Sequence, residues 1–101
     1  MQIDLGDGSF SWDPEKERRN IGRHGVGFTE AAWAFFDPKR IIEVDSRHSQ
    51  QEERFFCFGM VRDRVMTVRF MLRFGAVRII GAGYWRKGRK IYEKETGQAN
   101  S

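Results

Sequence analysis

The sequence predicts an α+β domain in the order β-α-α-β-β-β-β-α, with an antiparallel sheet packed on two N-terminal helices. Three features carry that expectation. Asp13-Pro14 and Gly25 bracket a helical segment, Val65 to Arg73 alternates apolar and polar residues at the period of a strand, and very short turns separate the last apolar runs. Such turns join antiparallel neighbours, because a parallel pair needs a crossover of roughly a dozen residues or more.

Residues 1–9, around Gly6-Asp7-Gly8, read as an N-terminal extension or short hairpin, and Phe10 to Trp12 as the first strand. Asp13 offers a side-chain acceptor at a helix N-cap, Pro14 has the fixed φ that suits the first helical position, and Glu15 complements the dipole. That helix should end near His24, with Gly25 as a left-handed cap. A second helix starts at once, with Thr29 as N-cap and Phe28 and Trp33 at hydrophobic-staple spacing, and Asp37-Pro38 ends it after about two turns. Ile41, Ile42 and Val44 give a short strand, a polar loop spans Asp45 to Glu53, and Arg54 to Val61 reads as a central strand. In the next strand Met66, Val68, Phe70 and Leu72 share one face and Thr67, Arg69 and Arg73 the other, so one sheet face should be core and one basic. Val77 to Ala82 completes the meander before a closing basic helix. Residues 10–95 are thus expected to be a single domain, followed by a disordered polar tail, 96–101.

A chain of 101 residues with nine Phe and three Trp has enough large apolar side chains for one core. Its single cysteine, Cys57, lies inside the apolar run FFCFGMV, so no intramolecular disulfide can form and a buried, inert thiol in a reducing compartment is expected. No basic-then-apolar leader opens the sequence and no apolar stretch approaches the ~20 residues of a membrane helix, which predicts a soluble cytoplasmic protein without a membrane partner. Charge is polarised along the chain. Residues 1–53 hold seven Lys/Arg against eleven Asp/Glu and residues 54–101 hold eleven against three, so the net +4 joins a −4 half to a +8 half. This points to an anionic partner, either nucleic acid or an acidic protein segment. In the segment RIIGAGYWRKGRKIY, Arg78–Tyr92, an apolar strand passes through Gly81 and Gly83 to an aromatic pair and then to Arg86, Lys87, Arg89 and Lys90. That layout suits a phosphate-bearing ligand.

The segments FSWDPEKERRNIGRHGVGF (Phe10–Phe28), EAAWAFFDP (Glu30–Pro38), Asp45 with His48-Ser49, EER (Glu52–Arg54), and VRIIGA with the Tyr-ended basic helix after it resemble the BrnT toxin family. The likeness extends over nearly all of Phe10–Glu93, and the Trp-Asp-x-x-Lys…Asn…His-Gly-Val-x-Phe string is fairly specific. It implies a RelE-like fold, ribonuclease activity that inhibits translation, and a cognate antitoxin, a ribbon-helix-helix DNA-binding protein of BrnA type. By the same resemblance the antitoxin binds the toxin, a heterotetramer being the assembly considered, and represses their operon. DNA is then met only through the antitoxin, and no cofactor is implied. Many family members follow the last strand with Ser-Ala-Arg-Arg-Ala, and the two arginines are regarded as important to toxicity. Here the strand runs into Gly81-Ala82-Gly83-Tyr84-Trp85, so the pair falls on Gly83 and Tyr84 and the nearest cation is Arg86. Two readings stay open: a branch that reaches the phosphate with Tyr84 and Arg86, or a catalytically weak or inactive toxin-like subunit that binds an antitoxin and assists operon repression.

Metal-independent RNA cleavage needs a base for the ribose 2′-OH proton, cations for the charge growing on phosphorus, and an acid for the leaving 5′ oxygen. His24 is best tuned for proton transfer, since an imidazole titrates near pH ~6.5 whereas arginine stays protonated; alternatively it only closes its helix by hydrogen-bonding a terminal carbonyl. Lys16, Asn20 and His24 recur at i, i+4 and i+8 with Arg23 adjacent, which makes either a cationic stripe or an ordinary solvated face paired with Glu15 and Glu17. Arg54 and Arg78 open or interrupt apolar strands. With Arg69 and Arg73 they form either an anion site or ion pairs with Glu52, Glu53 or Glu43. At the strand-to-helix junction an aromatic can stack on an unpaired base, and Tyr84 can donate to the phosphate; one of Tyr84 and Trp85 should be core, with Trp85 the expected one. Gly81 and Gly83 either admit a close ligand or mark a bulge. The last helix binds RNA phosphates or an acidic antitoxin segment, and Gly88 weakens it by ~1 kcal/mol. The expected catalytic set is His24, Arg78, Tyr84 and Arg86, with Lys16, Arg23, Arg54, Arg69, Arg73, Trp85, Lys87, Arg89 and Lys90 binding RNA or phosphate. No metal site is expected, because His24, His48 and Cys57 lack paired spacing, and His48 with Asp45 reads as a local turn contact.

Overall fold

The computed structural model describes residues 7–47 and 52–97, so the expectations for residues 1–6, for His48 and for residues 98–101 lie outside the described residues. Strand β1, Ser9–Trp12, leads into helix α1, Pro14–His24, whose two ends form as their residues dictate. Asp13 Oδ1 accepts from the Glu15 N–H at 2.9 Å, and Gly25, at φ 70°, donates its N–H to Ile21 O. Helix α2, Phe28–Ala32, runs into a 3₁₀ turn, Trp33–Phe36, and strands β2, Ile41–Val44, β3, Arg54–Val61, β4, Arg64–Arg73, and β5, Ala76–Gly83, precede helix α3, Arg86–Thr96.

The start of α2 corrects the sequence reading. Its N-cap is Gly27, not Thr29, and the orphan N–H of Phe28 is satisfied from another element, by Glu17 Oε2 of α1 at 2.8 Å. No Phe28–Trp33 staple forms, because Phe28 is fully buried and Trp33 is 61% exposed.

The five strands lie in the order β1-β5-β4-β3-β2. β2 to β5 are antiparallel neighbours as expected, while β1 pairs parallel with β5, Ser9 opposite Ala76 and Trp12 opposite Ile79, which makes the sheet mixed. Everything from α1 to β4 intervenes between those two strands, which is long enough for a parallel return. The hairpin turns use left-handed residues, Arg62 at φ 59°, and Phe74 and Gly75 at φ 52° and 76°.

The α+β class is as the sequence predicts, and its main core lies between one sheet face and the α2 region. Val26, Phe28, Ala31, Ala34 and Phe35 pack there on Phe55, Cys57, Met66, Val68, Phe70, Val77 and Ile79. The 3₁₀ turn sits so close that a Cβ on Gly59 would collide with the Ala34 carbonyl. Burial pushes the Cys57 thiol far up, so it is inert as expected. The other face is not uniformly basic. α3 covers part of it and seals a smaller core of Phe58, Val65 and Tyr92, leaving the end with Arg54, Arg69 and Arg78 beyond the helix. Gly88 makes this contact possible, since a Cβ there would strike Thr67 Oγ1 and come within 3.0 Å of Phe58.

β5 carries one irregularity. Arg69 pairs with Gly81 but Phe70 with Ile79, so Ile80 is an extra, bulged residue in that strand. Inward-facing residues therefore run Val77, Ile79 and then Ala82 rather than Gly81. Among the described residues no helix is long and apolar enough to cross a membrane.

Candidate functional site

α1 is fastened across the end of β5 by one side chain. Asn20, only 8% exposed, donates from Nδ2 to Val26 O at 2.8 Å and to Ala82 O at 2.9 Å, and its Oδ1 accepts from the Ala82 N–H at 3.1 Å. β1 pairs with β5 only as far as Ile79, so Asn20 takes over the hydrogen bonding of β5 beyond that strand. Within the predicted stripe Asn20 is thus a clamp, and it fixes where Lys16 and His24, one turn to either side, must project.

They project over a cleft of about 340 Å³. α1 contributes Lys16, Arg19, Arg23 and His24, while β3 and β4 contribute Arg54 and Arg69. Ile80, Gly81, Asn20 and Trp85 complete the wall, and no carboxylate is among the described residues that line it. Five cations around one imidazole create a field that favours an anionic ligand. Arg19 joins this cleft without having stood out in the sequence; its i, i+4 spacing to Arg23 was the available signal.

Trp85 closes the cleft beside His24. The two rings meet edge to face with centroids 5.0 Å apart at 83°. Trp85 folds back over Gly83, where a Cβ would lie 2.6 Å from its Cζ2. It remains 36% exposed, which overturns the expectation that Trp85 is the core member of the aromatic pair. The bulge at Ile80 is the reason. Strict alternation from Val77 and Ile79 would turn residue 85 inward, whereas one extra residue turns Ala82 and Tyr84 inward and Trp85 outward.

Tyr84 accordingly packs against the main core. Its hydroxyl donates to Glu30 Oε2 at 2.8 Å, and the Arg64 guanidinium lies 4.1 Å from its ring centroid. Burial, then the hydrogen bond and charge of Glu30, push the phenol up to about 12, against the opposing pull of Arg64 and Arg62. A phenol held this way is protonated at neutral pH and its proton is already committed to Glu30.

A second cleft, also about 340 Å³, shares Trp85 with the first, and Tyr84, Arg86, Arg89 and Arg64 line it together with Asp63. The expected catalytic set is thereby divided, with His24 in the first cleft and Tyr84 and Arg86 in the second. Arg78 faces Met71 in register and is not among the described residues lining either cleft. Arg73 is turned away by an ion pair with Glu52 at 2.8 Å, the alternative the sequence had left open. Lys87 and Lys90 are exposed on α3, whose first turn holds no acidic residue, and Arg89 approaches Glu93 at 4.0 Å. No three His, Cys, Asp or Glu side chains among the described residues group so as to hold a metal ion.

A further cleft of about 770 Å³, lined in part by Arg62, opens beside the exposed rings of Trp33 and Phe36. Its two carboxylates are already engaged, Glu30 by Tyr84 and Asp37 by Tyr92 and Met60, so it offers aromatic surface rather than acid–base chemistry.

The cationic cleft, the Asn20 clamp, strands β2 to β5 and the junction at Gly83 to Trp85 all fall inside a single family match. Residues 12–88 match the model of the ribonuclease toxin BrnT of type II toxin–antitoxin systems. The chain belongs to the BrnT family. Comparison with curated proteins gives no match. Membership of the BrnT family makes the chain a ribonuclease toxin of a type II system, with an antitoxin as its partner.

Proposed function

We propose that this BrnT-family chain is a metal-independent, RelE-like endoribonuclease of the cytoplasm that halts translation, and that it cuts RNA in the cleft beneath α1. The observation that carries the reading is the lining itself, Lys16, Arg19, Arg23, Arg54 and Arg69 around His24 without a carboxylate among the described lining residues. In this reading the guanidiniums hold the scissile phosphate and stabilise the charge that grows on it. His24 accepts the 2′-OH proton as that oxygen attacks phosphorus, and the 5′ oxygen leaves with a proton from Lys16, the one ammonium among the described residues that line the cleft. The products are a 2′,3′-cyclic phosphate and a free 5′ hydroxyl. Arg86, Lys87, Arg89 and Lys90 hold phosphates further along the strand, as does the Arg78 face of the sheet. Tyr84, committed to Glu30, supports the junction instead of reacting.

The antitoxin in this reading is a ribbon-helix-helix protein of BrnA type whose acidic segment covers the basic first turns of α3, in a heterotetramer that touches DNA only through the antitoxin. One observation favours a second reading. Gly83 and Tyr84 stand where an arginine pair is common in the family, and Tyr84 is tied down by Glu30. A catalytically weak subunit that pairs with an antitoxin and assists repression would look the same at that junction. Expression of the chain alone in cells separates the two. Growth arrest with fragmented RNA supports the nuclease, and normal growth with intact RNA supports the inactive partner.

A further inference from the structure

Trp85 is a wall of both cationic clefts. His24, Arg23 and Arg69 line one of these clefts, and Arg86, Arg89 and Arg64, with Asp63, line the other. An aromatic that is 36% exposed and lines two clefts with cations is neither core nor an isolated surface ring. It is also held in place. Gly83 leaves the space into which the indole folds, and the imidazole of His24 abuts it edge to face. An aromatic ring shared by two cation-containing clefts matches one repeat of single-stranded RNA, a base with a phosphate 5′ and a phosphate 3′ to it. Duplex RNA does not fit this arrangement, because its bases are stacked on one another and cannot reach an aromatic side chain.

We propose that Trp85 is a base-stacking platform that makes single-stranded RNA the substrate class of this site, the stacked nucleotide placing one phosphate in the His24 cleft and the other in the Arg86 cleft. The proposal rests on the nuclease reading for its biological meaning, but it concerns binding and is tested without cleavage. The ring ranks bases by stacking strength and not by hydrogen-bonding edge, so its preference is broad.

The test measures binding of a short 2′-O-methyl oligoribonucleotide, which has no 2′ hydroxyl to react, against the same backbone with its central base removed and against a blunt 2′-O-methyl duplex. The full-length chain is compared with Trp85→Phe and Trp85→Leu, each checked by circular dichroism for its folded state. The expected result is a preference of roughly 5- to 100-fold for the base-bearing single strand over the abasic one, the range that stacking of one base provides. Trp85→Phe keeps most of that preference and Trp85→Leu removes it. Equal affinity of the folded wild type for base-bearing and abasic strands, tighter binding of the duplex, or a preference that survives Trp85→Leu overturns the proposal. An acidic peptide that competes with the abasic strand while no strand shows base preference assigns the surface to a protein partner instead. Base preference without any RNA cleavage refutes the nuclease reading alone, and cleavage without base preference refutes the platform alone.

Discussion

The amide of Asn20 grips both backbone groups of Ala82, accepting from its N–H at 3.1 Å and donating to its carbonyl at 2.9 Å. A side chain of α1 thereby continues the sheet one step past the end of β1, and the helix that carries Lys16 and His24 has only one place to sit. Asn20→Ala should leave the Ala82 and Val26 groups without partners, at about 1–3 kcal/mol for each buried group so orphaned. Asn20→Asp should be worse at neutral pH, because a carboxylate then faces the two carbonyl oxygens that Nδ2 now serves. Urea unfolding of the three proteins checks both statements.

Gly88 presents a conflict between local and tertiary preference. Alanine would raise helix propensity by ~1 kcal/mol. Its Cβ would be driven into Thr67 Oγ1 and the Phe58 ring, however, and overpacking of that kind costs about 1–3 kcal/mol. Gly88→Ala is therefore expected to lower the thermal midpoint, where a solvent-facing glycine at the same depth in a helix would raise it. Thermal unfolding decides the sign.

Asp37 links the loop after the 3₁₀ turn to both β3 and α3. Its Oδ2 accepts from the Tyr92 hydroxyl at 2.6 Å and the Met60 N–H at 2.8 Å, and its Oδ1 from the Lys39 N–H at 2.9 Å. Burial pulls this carboxyl up, but the hydrogen bonds from Tyr92, Met60 and Lys39 and the Lys39 charge together outweigh it and hold the group below its ordinary value of 3.8. A carboxyl with a lowered folded pKa stabilises the protein fully above its unfolded pKa, and that contribution is lost as pH falls through the folded value. The stability gap between wild type and Asp37→Asn should be widest near neutrality and close as the solution is acidified below pH ~4. Denaturant midpoints across that range provide the measurement.

Gly83 is needed for the position of a neighbour's ring. With a methyl 2.6 Å from its Cζ2, the Trp85 indole must swing out in Gly83→Ala, and the edge-to-face contact with His24 goes with it. The imidazole proton resonances of His24 should then lose the ring-current shift that the indole imposes, while the circular dichroism spectrum stays unchanged. Proton NMR of wild type and variant, with His24→Ala to assign the signals, tests this.

Much of this architecture was legible because its signals are local. Asp13-Pro14 and Gly25 mark the ends of α1 by side-chain and backbone chemistry within a few residues, and the alternation through β4 gives the core face directly. What escaped the sequence depends on partners far along the chain. The cap of α2 comes from Glu17 on another helix, so Thr29 looked like the natural choice. A single bulged residue, Ile80, exchanges the faces of Tyr84 and Trp85, and no composition signal announces a bulge. At the site, Lys16, Arg23 and His24 were readable from helical spacing, and Arg54 and Arg69 from their places in apolar strands. The separation of Tyr84 and Arg86 from His24 was not, because it stems from that same bulge and from the way Trp85 folds over Gly83.

The central claim is that the cleft under α1 cleaves RNA through His24. Single-turnover cleavage of a single-stranded RNA by purified wild type and by His24→Ala, both in a chelating buffer, tests it most directly. His24 is exposed, so its loss should leave stability nearly unchanged while cleavage falls by about 10²–10⁴-fold, the range for removal of a general acid or base. Cleavage by His24→Ala at the wild-type rate would contradict the assignment.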